Sequence, residues 1–252
     1  MRGEMVKRIF CIVLLMFGLI GRMFPQDKTY LGLKGGINIP RLYYTNPELK
    51  SLPHDLTVQP SLGLFVEIPL TDKLALAAEL NYQNRGGSTS YDYEQDYKVT
   101  YSLNATHLSL RLPLYCYFSP SAKLTPYLMI GPDLGYVIGG EISLTQPGLE
   151  IAQSNVTINN NNYNPYYIGV LAGVGLRHKA VLEKYICITK LDVALNWGLL
   201  DTFGQAEKDE TAIPTNIHAY NHQGERLSRG LEISISFGLI RHEDMSACRG
   251  FE

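Results

Sequence analysis

The sequence predicts an all-β fold, an eight-stranded antiparallel transmembrane β-barrel with short turns at one rim and long loops at the other. Three observations support this fold class. Apolar and polar residues alternate with a period of two in eight separate stretches, which is typical of extended strands. These stretches run to 10–16 residues, whereas a tilted membrane-spanning strand needs about 9–11. Their connections alternate between short turns and long polar segments, and helical periodicity is nowhere sustained.

Residues 1–26 are predicted to be a signal peptide. A basic segment that ends in Lys7 and Arg8 precedes the 12-residue apolar run Ile9–Ile20. This run is too short for a comfortable helical span and suits a secretory signal. The segment "GRMFPQD" lacks a clear small-residue cleavage pattern, so processing is placed near Gln26, with a retained N-terminal anchor as the alternative. The barrel is expected over residues 27–240 and a C-terminal tail over 241–252.

The eight predicted strands follow in chain order. They are Tyr30–Ile39, Gln59–Pro69, Leu74–Asn84, Thr106–Pro120, Leu124–Gly139, Pro165–His178, Tyr185–Leu199 and Arg229–Ile240. The short turns are "LTDK", "SPSAK" and "AVLEK", while the segments 41–58, 85–103, 141–164 and 201–228 are predicted to be long loops. Short periplasmic turns and long extracellular loops are typical of a barrel in the bacterial outer membrane.

The charged residues indicate which face of each strand meets lipid. In the fourth strand, leucines occupy the even positions from 108 to 114, and Arg111 lies on the opposite face. Four cations facing lipid at the midplane would together cost roughly 8–16 kcal/mol, so a membrane barrel must hold them in its lumen. A soluble lipocalin-like barrel with its apolar face inward is the alternative. The predicted lumen charges are Lys34, Glu67, Glu79, Arg111, Asp133, Arg177, Lys190, Asp192 and Glu232.

Aromatic residues near strand ends favour the membrane barrel over the soluble one. In a membrane barrel, aromatic side chains form girdles at the two lipid–water interfaces. The residues predicted to contribute are Tyr30, Tyr82, Tyr115, Tyr117, Phe118, Tyr127, Tyr136, Tyr166, Tyr167, Tyr185, Trp197 and Phe237.

An ordered series of phrases also resembles a known family. The phrases "YLGLKGGIN", "LGLFVEIPLTDKLALAAELNYQNRGG", "LTPYLMIGPDLGYVIGG" and "RGLEISISFGL" lie in order within residues 29–240. This series resembles the PorT-like outer-membrane β-barrel family that is abundant in Bacteroidetes. The resemblance implies an eight-stranded barrel in the cell outer membrane, and PorT itself is linked to type IX secretion and gliding. The chain departs from the family at "HLS" (107–109), where Tyr-Leu-Glu is usual, and in its tail beyond Ile240.

Composition excludes some functions and gives no sign of others. A net charge of −2 leaves no electrostatic footprint for nucleic acid. Cys116, Cys187 and Cys248 form no metal-ligand or redox pattern, so no metal, cofactor or disulfide is expected, and Cys116 and Cys187 are interpreted as small apolar residues. His107 and Ser109 share one strand face, as in lipid A deacylases, but they are interpreted as an interior polar pair. No catalytic residue and no enzyme activity are predicted.

The leading hypothesis is an integral outer-membrane barrel with a structural or interaction role, with a PorT-like accessory role in protein secretion as its specific form. Its expected partners are outer-membrane lipid and envelope or secretion-system proteins that bind the long loops. The "YDYEQDY" segment at 91–97 is interpreted as a solvated loop, with binding of a cation, a glycan or a partner protein as the alternative. The alternative is a small-solute pore with a charge-gated lumen, and a lipid-modifying enzyme comes third. Lys34, Glu67, Glu79 and Arg111 are expected to meet across the lumen, as a static plug or as a gate.

Overall fold

The computed structural model describes residues 29–44, 54–93, 97–119, 122–145, 153–158, 163–182, 185–202 and 226–241. The predicted signal peptide and all but Arg241 of the predicted tail lie outside these ranges. The strands are β1 Tyr30–Tyr44, β2 His54–Asp55, β3 Gln59–Pro69, β4 Leu74–Tyr93, β5 Tyr97–Arg111, β6 Leu114–Tyr117, β7 Leu124–Thr145, β8 Gln153–Thr157, β9 Tyr166–Val181, β10 Tyr185–Asp201 and β11 Arg226–Arg241. Among the described residues, no helix is long and apolar enough to span a membrane.

The strands close into a ring. β1 pairs in antiparallel fashion with β3 on one side and with β11 on the other. The ring continues from β3 through β4, β5, β7, β9 and β10 to β11, always between antiparallel neighbours. β6 carries on from β5 beyond Pro113 and pairs with β4 and β7, so β5 and β6 form a single barrel strand. The predicted eight-stranded antiparallel barrel is therefore confirmed.

Apolar side chains cover the outside of the ring, while its inside holds buried polar and charged side chains together with an apolar cluster around Met129 and Leu171. On β11, Ile233, Ile235 and Phe237 are exposed, while the intervening Ser234 and Ser236 are buried. Exposed and more buried positions also alternate along most of β9 and β10. A soluble ligand-binding barrel would have the opposite arrangement, with apolar residues inward. The two rims are called here the turn rim, which carries the short connections at 70–73, 118–123 and 182–184, and the loop rim opposite it.

The predicted loop at 85–103 is wrong, because most of it is strand. β4 continues to Tyr93 and β5 begins at Tyr97, with Tyr93 paired to Tyr97. β2 adds to β4 and β8 adds to β7, so five strands, β2-β4-β5-β7-β8, form a sheet that extends from one side of the loop rim. We call this sheet the extension. The sequence does not reveal it because its outward positions, such as Asn84 and Ser88, are polar and lack the exposed apolar side chains that mark a membrane-spanning strand.

Glycines with positive φ lie at the base of the extension. Gly86 and Gly87 on β4 have φ values of 136° and 154°, and Gly140 on β7 has a φ of 133°. β5 and β7 also shift register next to Gly139, between Thr106 and His107. Side chains with a Cβ rarely adopt such φ values, so these positions mark where the barrel wall passes into the extension.

Glycines on the inner face of β9 leave space for large side chains from β7. A Cβ at Gly173 would come within 2.7 Å of the methionine methyl carbon of Met129 and within 2.5 Å of the backbone oxygen of Val193. Over-packing a filled interior typically costs about 1–3 kcal/mol. We therefore expect Gly173→Leu to lower the free energy of unfolding by about 1–3 kcal/mol, measured by urea titration of the refolded protein. The matched control is Ala172→Leu, because Ala172 is the exposed neighbour on the outer face; an equal loss in both variants would contradict this explanation.

Candidate functional site

The lumen contains a network of buried charges at mid-strand. Eight of the nine predicted lumen charges are at most 4 % exposed: Lys34, Glu67, Glu79, Arg111, Asp133, Lys190, Asp192 and Glu232. They come from seven barrel strands, because inward positions alternate along each strand. The ninth, Arg177, lies nearer the turn rim and is only half-buried, with its guanidinium carbon 3.7 Å from the centre of the Tyr117 ring.

Arg111 stands at the centre of this network. Its Nη1 lies 2.7 Å from Glu232 Oε2 on the far side of the ring, and its Nε donates to Asp133 Oδ2 at 3.1 Å. Its Nη2 donates to Gln83 Oε1 at 2.7 Å. Arg111 thus joins side chains from β4, β7 and β11 and is fully buried among them.

Lys34 connects a second group of carboxylates to the same centre. Its Nζ lies 3.0 Å from Glu79, 3.3 Å from Glu232 and 3.9 Å from Asp192. Glu232 therefore forms ion pairs with both Lys34 and Arg111. The two cations are held in one continuous set of ion pairs that crosses the lumen.

A layer of tyrosines lies between this centre and the turn rim. Tyr115 donates to Glu79 and Tyr117 donates to Glu67, both at 2.7 Å, and Tyr127 donates to Asp192. Lys190 pairs with Glu67 and stands 3.9 Å above the Tyr115 ring. The three rings also contact one another, with centroids 5.3–6.2 Å apart. Rings and ion pairs together fill this part of the lumen.

Part of the predicted aromatic girdle is wrong, because some of its members lie inside the ring and not on its outer surface. Tyr82, Phe118, Tyr166, Tyr185, Trp197 and Phe237 are exposed on the outside, as an interface girdle requires. Five other predicted members are buried inside the ring instead: Tyr30, Tyr115, Tyr117, Tyr127 and Tyr167. The prediction counted aromatic residues near strand ends without applying the alternation, which places Tyr115 and Tyr117 on the same face as Arg111.

The predicted quartet of Lys34, Glu67, Glu79 and Arg111 does not form as one group. Lys34 does pair with Glu79, but Glu67 on β3 pairs with Lys190 on β10. Arg111 takes its carboxylates from β7 and β11. The expectation was based on strands that are close in sequence, whereas long side chains in a narrow ring reach partners across the lumen.

Arg85 is a lumen charge that the sequence analysis missed. Its Nη2 lies 2.5 Å from Asp133 Oδ2, and its guanidinium carbon lies 3.6 Å from the centre of the Tyr167 ring. The third predicted strand ends at Asn84, so the sequence analysis places Arg85 in a loop. The signal was nevertheless present, since positions 79, 81, 83 and 85 share the inner face of β4.

His107 and Ser109 lie inside the ring without a triad-like arrangement. His107 Nδ1 is 3.0 Å from the backbone oxygen of Ala105, and Ser109 Oγ accepts from Gln83 Nε2 at 3.2 Å. Nucleophilic catalysis requires the base to reach the hydroxyl. Both side chains are buried and turned away from lipid, which suits an interior polar pair. Within the described residues, no cluster of three potential metal ligands occurs.

Each charge of the lumen core has a partner of opposite sign. The four cations are Lys34, Arg85, Arg111 and Lys190, and the five anions are Glu67, Glu79, Asp133, Asp192 and Glu232. Buried ion pairs contribute little net stability against an apolar core, but losing one partner is costly. Chemically, the network can hold the two sides of a narrow barrel together and close the path through it.

Comparison with known proteins identifies the kind of barrel. A family model described as an outer membrane protein beta-barrel domain matches residues 24–204. No curated protein matches significantly.

Several solved structures match this chain over most of its length, at low identity and low TM-score. Neisserial surface protein A (NspA) is 13% identical with a TM-score of 0.38, and the match covers 82% of this chain and 95% of NspA. Ail, the attachment invasion locus protein of Yersinia pestis, is 7% identical with a TM-score of 0.38 over 84% and 99% of the two chains. OprG from Pseudomonas aeruginosa is 10% identical with a TM-score of 0.40 over 86% and 96%. Identities and TM-scores this low carry no information about what this chain binds.

Proposed function

We propose that this chain, which belongs to the outer membrane protein β-barrel domain family, is a closed barrel that acts through its cell-surface side as a structural and interaction protein. Its location is the outer membrane, so the turn rim faces the periplasm and the loop rim faces outward. The specific form we propose for the interaction role is a PorT-like accessory role in protein secretion.

The filled lumen is the observation that carries this proposal. Arg111 and Lys190 are each at most 1 % exposed and are joined to carboxylates across the lumen, Glu232 and Glu67. Lys34 is 4 % exposed and pairs with Glu79 and Glu232. An eight-stranded barrel has an interior that side chains just fill. A lumen held closed in this way supports a role at the surface in preference to diffusion of solutes.

The extension offers a surface on which a partner could bind. β4 runs nine residues beyond Asn84, which is about 30 Å along the strand at roughly 3.3 Å per residue. Partly exposed polar side chains, among them Asn84, Ser88, Ser102 and Asn104, cover its outward face. Hydrogen-bonding groups on a paired and ordered sheet suit recognition of a protein or glycan better than a flexible loop does.

Shortening the extension tests the interaction role. Ser88 and Ser102 are directly paired, so residues 89–101 can be replaced by a two-residue Asn-Gly turn, which closes hairpins well. Surface and secreted proteomes would be compared in cells lacking the gene and in cells complemented with the full or the shortened barrel. We expect many exported proteins to be lost without the gene and restored only by the full barrel.

The other outcomes separate the parts of this proposal. An unchanged proteome in cells lacking the gene would contradict the secretion role. Full rescue by the shortened barrel would contradict the extension as the interaction surface. A heat-dependent shift in gel migration, as a stable barrel shows, serves as the control that the shortened protein has folded and inserted.

A charge-gated pore is the second candidate function, because Lys34 has more than one carboxylate close enough to form an ion pair. Lys34 Nζ lies within 4 Å of three carboxylates, so a small movement could exchange one partner for another. If such exchange opens a water path, Arg111→Glu should raise the single-channel conductance by breaking the pairs with Asp133 and Glu232. Equal conductance of inserted wild-type and variant barrels would contradict the gate.

A further inference from the structure

Two arginines lie side by side on the outer face of the barrel. Arg41 on β1 is directly paired with Arg229 on β11. Arg41 is exposed and Arg229 is half-buried. In the part of the chain that the structure describes, no carboxylate lies within 4.0 Å of either guanidinium group. Like charges directly opposite each other on paired strands are destabilising, so this arrangement favours an anion between them.

The depth of the pair places it at the outer surface of the membrane. Arg41 lies ten residues beyond Leu31 on β1, and Arg229 lies ten residues from Leu239 on β11. Both leucines are exposed on the outer face at the turn rim. Ten residues at about 3.3 Å each, tilted by about 40°, span roughly 25 Å, which is the height of the apolar band of such barrels.

Aromatic rings hold Arg229 in a fixed orientation at this depth. Its guanidinium carbon lies 3.6 Å from the centre of the Tyr43 ring and 4.1 Å from the centre of the Trp197 ring. Stacking holds the planar guanidinium in place while its edge can still donate hydrogen bonds. Its Nε is buried beside these rings and has no hydrogen-bond partner among the described residues, which leaves the terminal nitrogens of the guanidinium to bind a ligand. A guanidinium group held in a fixed orientation can bind a phosphate group through two parallel hydrogen bonds.

We propose that Arg41 and Arg229 bind the phosphate of an outer-leaflet lipid headgroup, the chemical class to which lipid A belongs. The apolar pair of Ile39 and Leu231 lies two residues further into the membrane on the same face and would contact the acyl chains of that lipid. A basic site at the outer interface that is continuous with a lipid-facing apolar surface fits an anchored anion better than a soluble one. This inference does not depend on the secretion role.

Lipid retention after extraction tests the proposal. The refolded protein would be incubated with phosphorylated lipid A or with lipid A from which the phosphates have been removed, and the bound lipid would be measured by native mass spectrometry. We expect the wild type to retain the phosphorylated lipid. The double variant Arg41→Gln/Arg229→Gln should bind it roughly 25-fold more weakly, since each basic residue near an anionic membrane surface contributes about fivefold. The control is Lys73→Gln/Lys123→Gln, which removes two exposed charges at the periplasmic rim and should bind like the wild type.

Two further readings decide the identity of the ligand. Trp197 is the single tryptophan of the chain and lies under Arg229, so its emission should shift with phosphorylated lipid A in the wild type alone. Equal retention of the dephosphorylated lipid, or by the double variant, would overturn the site. An equal shift with inorganic phosphate alone would overturn the assignment to a lipid. The heat-dependent gel shift confirms that each variant has folded.

Discussion

Replacing Arg111 with methionine should destabilise the barrel by about 3–5 kcal/mol, the range measured when one partner of a buried ion pair is removed. Methionine fills much of the same volume but leaves Asp133 and Glu232 without their central cation. Asp133 would retain Arg85 and Glu232 would retain Lys34, which favours the lower end of that range. The measurement is the free energy of unfolding from urea titration in lipid vesicles, followed by the fluorescence of Trp197.

Two companion variants show whether the loss comes from charge. Leu110→Met changes the neighbouring residue on the outer face and should cost well under 1.5 kcal/mol, as volume-conserving apolar changes do. Arg111→Met combined with Glu232→Gln should cost less than the sum of the two single changes, because contacting residues are not additive. A cost for Arg111→Met no greater than that of the Leu110 control would contradict the role given to the network.

Placing an arginine on the lipid face should cost about 2–4 kcal/mol at the midplane and about 0–1 kcal/mol near an interface. Val193 is exposed at mid-strand on β10, between the buried Asp192 and Ala194. Leu199 is exposed on the same strand at the loop rim. We therefore expect Val193→Arg to be markedly less stable than Leu199→Arg in vesicles, under the same urea titration. Similar costs at the two positions would contradict the assignment of this face to lipid.

The barrel could be predicted from the sequence because lipid and lumen impose opposite chemistry on alternate residues. This contrast identifies strands such as β9 and β11 almost to their ends. Outside the membrane the contrast disappears, while hydrogen bonding between strands continues. For this reason the sequence pattern predicts a polar loop where residues 85–93 and 97–105 form paired strands. The same error leaves Arg85 out of the predicted lumen charges.

Alternation could place a residue on the inner face but could not choose its partner. Glu67 and Lys190 come from β3 and β10, which are not neighbours in the ring, and their pairing depends on the width of the lumen and the length of both side chains. The roles of Tyr115, Tyr117 and Tyr127 as donors to buried carboxylates depend on the same geometry. The pairing of Arg41 with Arg229 requires the exact register of β1 and β11, which brings residues 188 positions apart into contact.

Single-channel recording of the wild-type barrel in planar bilayers tests the central claim most directly. The claim is that ion pairs across the lumen keep the barrel closed, so that its function lies at its surface. We expect insertion, verified by the heat-dependent gel shift, without stable conductance steps at any applied voltage. A reproducible open state with a steady conductance would contradict the closed barrel and favour the pore.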